Sequence, residues 1–239
     1  MKNRKVSFLL LVSMLLIQRL LYQTTDLELY QFPFASSLRI FDGQTSNILM
    51  ILYVLIPIPY VLFEFSGKVK GLLEGYGKLF VIRSYKREWL YLKTIGKCAL
   101  ELIVIIGVQT LMFLWGRQKW EEISALQAGL VLAAYWLGLF LLVMLQMCLE
   151  FFMDSNYANL IINIFFVLSL FIGTGTMRSE RLYGIGILFF PNLFFGTRNG
   201  AIQQGDIDVN YEFALTYLVM ASVIVCVFSI QKFRKKDIF

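Results

Sequence analysis

The 239-residue chain contains no histidine. That absence removes metalloprotease sites of the H-E-x-x-H kind, which need two histidines one helical turn apart. Ser-His-Asp triads and histidine acid–base steps go with them. Cysteine is scarce: Cys98, Cys148 and Cys226 are the only three, and each falls within or beside an apolar run. An odd number placed this way predicts reduced, packed thiols rather than a disulfide framework. Charged residues make up only 16% of the chain, too few to cover a large water-soluble surface.

Apolar residues make up 58% of the chain, and the mean hydropathy is +0.68. They gather in six long runs, at 6–22, 47–65, 98–115, 125–149, 157–177 and 213–230. Crossing about 30 Å of hydrocarbon takes roughly 20 apolar residues as helix. With no water in the membrane core, each run must satisfy its own backbone, so helix is the expected form. The runs are continuous rather than alternating, which disfavours a β-barrel. The expected fold is all-α, one polytopic membrane domain over 1–239 with six transmembrane helices. The first run resembles a signal peptide but is followed by Gln18, Arg19 and bulky Leu20 to Tyr22, with no small-residue cleavage site. It is expected to remain as the first span.

Lys and Arg set the orientation. The N-terminal tail, the 66–97 segment and the tail after 230 carry 3, 8 and 4 of them, and the 150–156 connection none. The opposite loops hold only Arg39, Arg117, Lys119, Arg178, Arg181 and Arg198. Both termini are therefore expected in the cytoplasm. The net charge of +6 reports topology and gives no reason to expect nucleic acid, because the basic residues flank apolar helices.

Two of the four prolines, Pro57 and Pro59, fall inside the second run. Each removes a backbone donor, so the helix is expected to bend or hinge there. The 66–97 segment has Gly67, Gly71, Gly75 and Gly77 breaking its first half. From Lys78 onward Leu79, Ile82, Tyr85 and Trp89 recur at helical spacing, with Arg83, Lys86 and Arg87 between them. That pattern predicts a short amphipathic helix at the inner surface, suited to anionic lipid or a docking partner. The loop at 178–212 holds a second apolar stretch, 182–195, interrupted by Gly184, Gly186 and Pro191. It is too short to cross comfortably, and a re-entrant hairpin fits better. Asp154 and Ser155 are placed to cap the fifth helix.

Other chemistry is thin. The stretch GLLEGYGKL at 71–79 lacks the second glycine and the Ser/Thr of a phosphate-binding loop, having Tyr76 and Leu79 there. Glu121 and Glu122 read as a solvated pair. Gln109, Gln146, Asn159, Asn163 and Thr216 inside the runs read as helix–helix hydrogen bonds. No chain of buried carboxylates and no inverted repeat marks a secondary carrier.

The layout resembles the permease subunits of type-two ATP-binding-cassette exporters. The residues that carry the resemblance are GKLFVIRSYKREWLYLK at 77–93, the 182–195 stretch, and the basic ending FRKKDIF at 233–239. The size is similar to that of the compact permeases of bacterial peptide (bacteriocin or lantibiotic) export and immunity systems. The resemblance implies a non-catalytic subunit in the bacterial cell membrane that pairs with a second copy or a sister permease. It also implies cassette ATPase partners, so that ATP and Mg belong to a separate chain and this one holds no cofactor. Lys78, Arg83, Lys86, Arg87 and Trp89 would then lie at the ATPase-coupling surface, and the cargo would be an amphipathic peptide or other hydrophobic molecule. Competing classes are a non-transporting membrane sensor or assembly protein, and a secondary carrier.

Overall fold

The structure is a computed structural model. It describes residues 4–24, 52, 54–74, 87–114, 124–177, 181–202 and 209–235. Among the described residues every regular element is helical. In chain order they are α1 (Arg4–Thr24), α2 (Pro57–Phe65), α3 (Lys68–Glu74), α4 (Arg87–Leu114), α5 (Ala125–Leu149), α6 (Ser155–Thr176), α7 (Tyr183–Leu188), a 3-10 turn (Phe190–Phe194) and α8 (Tyr211–Lys235).

Among the described residues four helices are long and apolar enough to cross a membrane: α4, α5, α6 and α8. They correspond to the third, fourth, fifth and sixth apolar runs. At 1.5 Å per residue the 28-residue α4 reaches about 42 Å. That exceeds the roughly 30 Å of a hydrocarbon core. It starts at Arg87, eleven residues before the third run, so the end of the basic segment, 87–97, and the span form one rod. Among the described residues the first two runs are shorter. Helix α1 has 21 residues, with an apolar stretch at Leu9–Leu21. In the second run helix is described at residues 52 and 54–55 and, as α2, over nine residues from Pro57.

The prolines explain where α2 starts. Ile56 keeps helical torsions, and its N–H donates to the Leu52 carbonyl at 2.9 Å. Pro57 and Pro59 have no N–H to continue that ladder. They occupy the first turn of α2, where a missing donor costs least. Gly71 does not break the chain as the sequence led us to expect. It lies inside α3, and its N–H donates to the Gly67 carbonyl at 2.9 Å. The break falls at Gly67, whose φ of +78° is readily adopted only by glycine.

The core centres on α5. Ser124 and Gln127 form a reciprocal capping box at its start. Beyond it Val131, Ala134, Tyr135, Leu139, Leu142, Val143, Met144 and Met147 are buried. A helix apolar on every side is one surrounded by others. Here α8, α6, α4, α2 and the 3-10 turn all pack on α5. The three thiols are free, with Cys98 and Cys148 buried.

Candidate functional site

Two polar clusters at opposite ends of the bundle, and a groove between them, carry the features that apolar packing does not explain.

The first cluster surrounds Glu150, just past the end of α5 and only 8% exposed. Its Oε1 accepts the Gly67 N–H at 2.7 Å, and its Oε2 accepts the Val69 N–H at 3.1 Å. A carboxylate is thereby placed on the exposed amides that open α3, where the helix end favours negative charge. Burial nevertheless raises its pKa above the ordinary carboxylate range, against those hydrogen bonds, which lower it. Around it, the Ser66 hydroxyl donates to the Ser155 carbonyl at 3.3 Å. Lys68 pairs with Glu101 of α4 at 2.9 Å, and Lys70 with Asp154 at 3.4 Å. A polar hollow of about 330 Å³ lies beside Lys70, Glu150, Asp154 and Ser155. Next to this cluster Tyr91, Phe151 and Phe233 stack at 5.1 to 6.1 Å and join α4, the α5–α6 connection and α8.

Asp154 is the residue before α6, as expected, but its side chain makes no capping bond. It faces Lys70 instead. Ser155 is drawn on through its carbonyl by Ser66.

The second cluster lies in 181–202. Asn192 is fully buried and donates from Nδ2 to the Ser169 carbonyl at 3.1 Å and the Gly186 carbonyl at 3.0 Å. Its Oδ1 accepts from the buried guanidinium of Arg198, which also reaches the Thr174 hydroxyl at 3.2 Å. Burial lowers the proton affinity of that guanidinium from its ordinary value. Asn199 donates to the Leu193 carbonyl at 3.2 Å. The apolar residues follow the same plan: the Phe194 ring fills the space over Gly138, where a Cβ would clash with it. Gly138 is thirteen residues into α5, about 20 Å along its axis.

The groove, about 650 Å³, runs between α2 and α6 and is lined by Pro59, Phe63, Leu160, Ile164, Asn156, Asn159 and Asn163 among others. The three asparagines are spaced by three and four residues, so one face of α6 presents them together. Asn163 donates to Asn159 at both its carbonyl and its Oδ1, at 2.9 and 2.5 Å. Its own Oδ1 is buried with no hydrogen-bond partner among the described residues.

Gln109 and Gln146 do join helices. Gln109 Nε2 donates to Gln18 Oε1 at 2.7 Å, tying α4 to α1, and Gln146 Nε2 donates to the Leu62 carbonyl at 3.0 Å, tying α5 to α2. Arg19 donates to the Met112 carbonyl at 2.9 Å, at the last turn of α4.

Of the residues singled out by sequence, Lys78, Arg83 and Lys86 lie outside the described residues, and Arg87 is described in its main chain alone. Trp89 stands half-exposed on the first turn of α4, with Lys93 Nζ 5.2 Å from its ring centroid. Pro57 is buried at the start of α2, and Pro59 lines the groove. Gly186 packs on Met177 and Thr176 and offers its carbonyl to Asn192, Pro191 is buried in the 3-10 turn, and Gly184 faces open space. Sequence reasoning counted Arg198 only as a loop charge and gave Glu150 no role. Arg198 beside Asn192 and Asn199, in a loop otherwise rich in Phe, Leu and Gly, was the available signal.

The family described as "Protein of unknown function (DUF2705)" matches residues 11–239. The chain is 22% identical over 215 residues to the protein named "Uncharacterized protein YybK" of Bacillus subtilis (strain 168), covering 86% of each. No solved structure matches it.

Proposed function

We propose that this chain, which belongs to the DUF2705 family, is the membrane-spanning, non-catalytic permease subunit of an ATP-driven exporter. The observation that carries the reading is the course of residues 181–202. They leave the end of α6, fold through a six-residue helix and a 3-10 turn, and pack back on α5 and α6. Phe194 reaches Gly138 about 20 Å along α5 and never continues as a crossing helix. That is the behaviour of a re-entrant segment, with its irregular backbone sheltered by protein.

In this reading α1 and the helix ending in α2 are two further spans. The membrane unit then has six, with the ends of the chain and 66–97 on the cytoplasmic side of a bacterial cell membrane. Residues 66–97 are the coupling segment. α4 begins inside it, and the half-exposed Trp89 offers an anchor for a cassette ATPase. ATP and Mg are bound by that partner. A second copy or a sister permease seats against the groove between α2 and α6. There it meets three amides that lipid cannot satisfy. The Pro57–Pro59 pair is the bend at which α2 yields. The cargo is an amphipathic peptide or other hydrophobic molecule.

The experiment is purification of the full chain from its native membrane in mild detergent. A cassette ATPase recovered in stoichiometric amount, with nucleotide hydrolysis raised by the permease, is the expected result. Recovery of the chain alone, or of the chain with a non-ATPase partner, favours a sensor or assembly protein instead.

A further inference from the structure

Residues 66–70 are attached to the rest of the protein one after another. Ser66 holds Ser155, Gly67 and Val69 hold Glu150, Lys68 holds Glu101, and Lys70 holds Asp154. Three of these five ties go to the short connection between α5 and α6 and a fourth to Ser155, the first residue of α6; the Lys68 tie goes to α4. The ties also differ in quality. The Lys68–Glu101 pair is 27% and 34% exposed, and the Lys70–Asp154 pair 51% and 67%, so solvent screens both. Glu150 is 8% exposed, and both of its oxygens are engaged by main-chain amides. Charge-assisted bonds of that kind are the strong ones in a dry site. Gly67 reaches the carboxylate only because its φ is +78°.

We propose that Glu150 is the positioning residue that locks 66–74 onto the α5–α6 connection, so that a movement of this segment is handed to α5 and α6 and not to α4 alone. The consequence rests on reading 66–97 as the coupling segment. The far portions of α5 and α6 are the surfaces that hold 181–202, through Gly138 with Phe194 and Gly173 with Asn192. Two continuous helices therefore join the Glu150 clamp to the Arg198 cluster.

The clamp is tested by amide hydrogen exchange on the full chain in lipid nanodiscs, comparing wild type with Glu150→Ala and Glu150→Gln. The Gly67, Val69 and Lys70 amides are expected to exchange at least tenfold faster in the Ala variant. Gln keeps one accepting oxygen and gives an intermediate rate. Amides of α4 and α8 stay at wild-type rates. Unchanged protection at 67–70, or an equal acceleration across all helices, overturns the inference, since the second result marks general destabilisation. Export assays on the same variants separate this claim from the permease reading. Normal export per ATP with 67–70 deprotected overturns the handing-on of movement and leaves the permease intact. A wild-type chain that binds no ATPase removes the permease, while the exchange data still decide the clamp.

Discussion

The side chain of Asn192 occupies the space that a Cβ on Gly173 would need. Because Gly173 has none, the Asn192 amide can sit against α6 and use both of its ends. Its nitrogen donates to the Ser169 and Gly186 carbonyls, and its oxygen accepts from Arg198. Replacing Gly173 by Ala should expel Asn192 and leave the buried Arg198 short of an acceptor. Overpacking of this kind costs about 1–3 kcal/mol, and an orphaned buried polar group a further 1–3 kcal/mol or so. A lowered thermal midpoint, together with new protease cleavage within 181–202, checks it.

Acidity tests the other end. Burial raises the Glu150 pKa, so the folded protein holds that proton more tightly than the unfolded chain. At neutral pH the folded state carries the cost of a buried ionised carboxylate, and that cost is relieved as pH falls through the raised pKa toward the ordinary 4.5. Lys68, Lys70, Glu101 and Asp154 are the other charged groups nearby, so the comparison is made against Glu150→Gln, which keeps them all. The thermal midpoint of wild type minus that of the variant should rise as pH is lowered from about 7.5 to 5.

The asparagine face of α6 should be where two membrane units meet. Single cysteines at Asn156 or Asn159 are expected to cross-link between chains in native membranes. Changing Asn156, Asn159 and Asn163 together to Leu removes three interhelical amides at about 0.6 kcal/mol each. The association constant should then fall about twentyfold. Unaltered dimerisation would remove this face from the interface.

Much of this was legible in the sequence, and the unread remainder has a physical pattern. Apolar runs three to six appear as α4, α5, α6 and α8, because a long continuous apolar helix overrides local detail. Gln109 and Gln146 join helices as expected, since lipid offers no alternative partner. Gly71 was misjudged. A glycine inside a short helix costs roughly 1 kcal/mol, which packing of the buried Val69 and the Glu150 clamp offset. The roles of Glu150, Asn192 and Arg198 were unreadable, because each depends on partners 6 to 83 residues away that only the fold brings near. The helix expected from Lys78 lies outside the described residues.

The proposed topology is open to labelling. Cysteines placed in 23–46 and 178–212 should label from outside intact cells, and those in 66–97 should not. A reporter fused after Phe195 should report the same side as one fused after Met177. Opposite sides would make 182–195 a further crossing.

The proposed function makes 66–97 the segment through which a separate ATPase drives this chain. The most direct measurement is ATPase co-purification with the double variant Trp89→Ala and Arg87→Ala. Trp89 is the exposed aromatic at the start of α4. Losing such an anchor typically costs about 2 kcal/mol, roughly thirtyfold in affinity. The account predicts that the variant inserts and accumulates like wild type but loses the bound ATPase and with it export. A surface that merely held anionic lipid would lose only about 1 kcal/mol per basic residue. Full ATPase binding and normal export in the double variant would contradict the account.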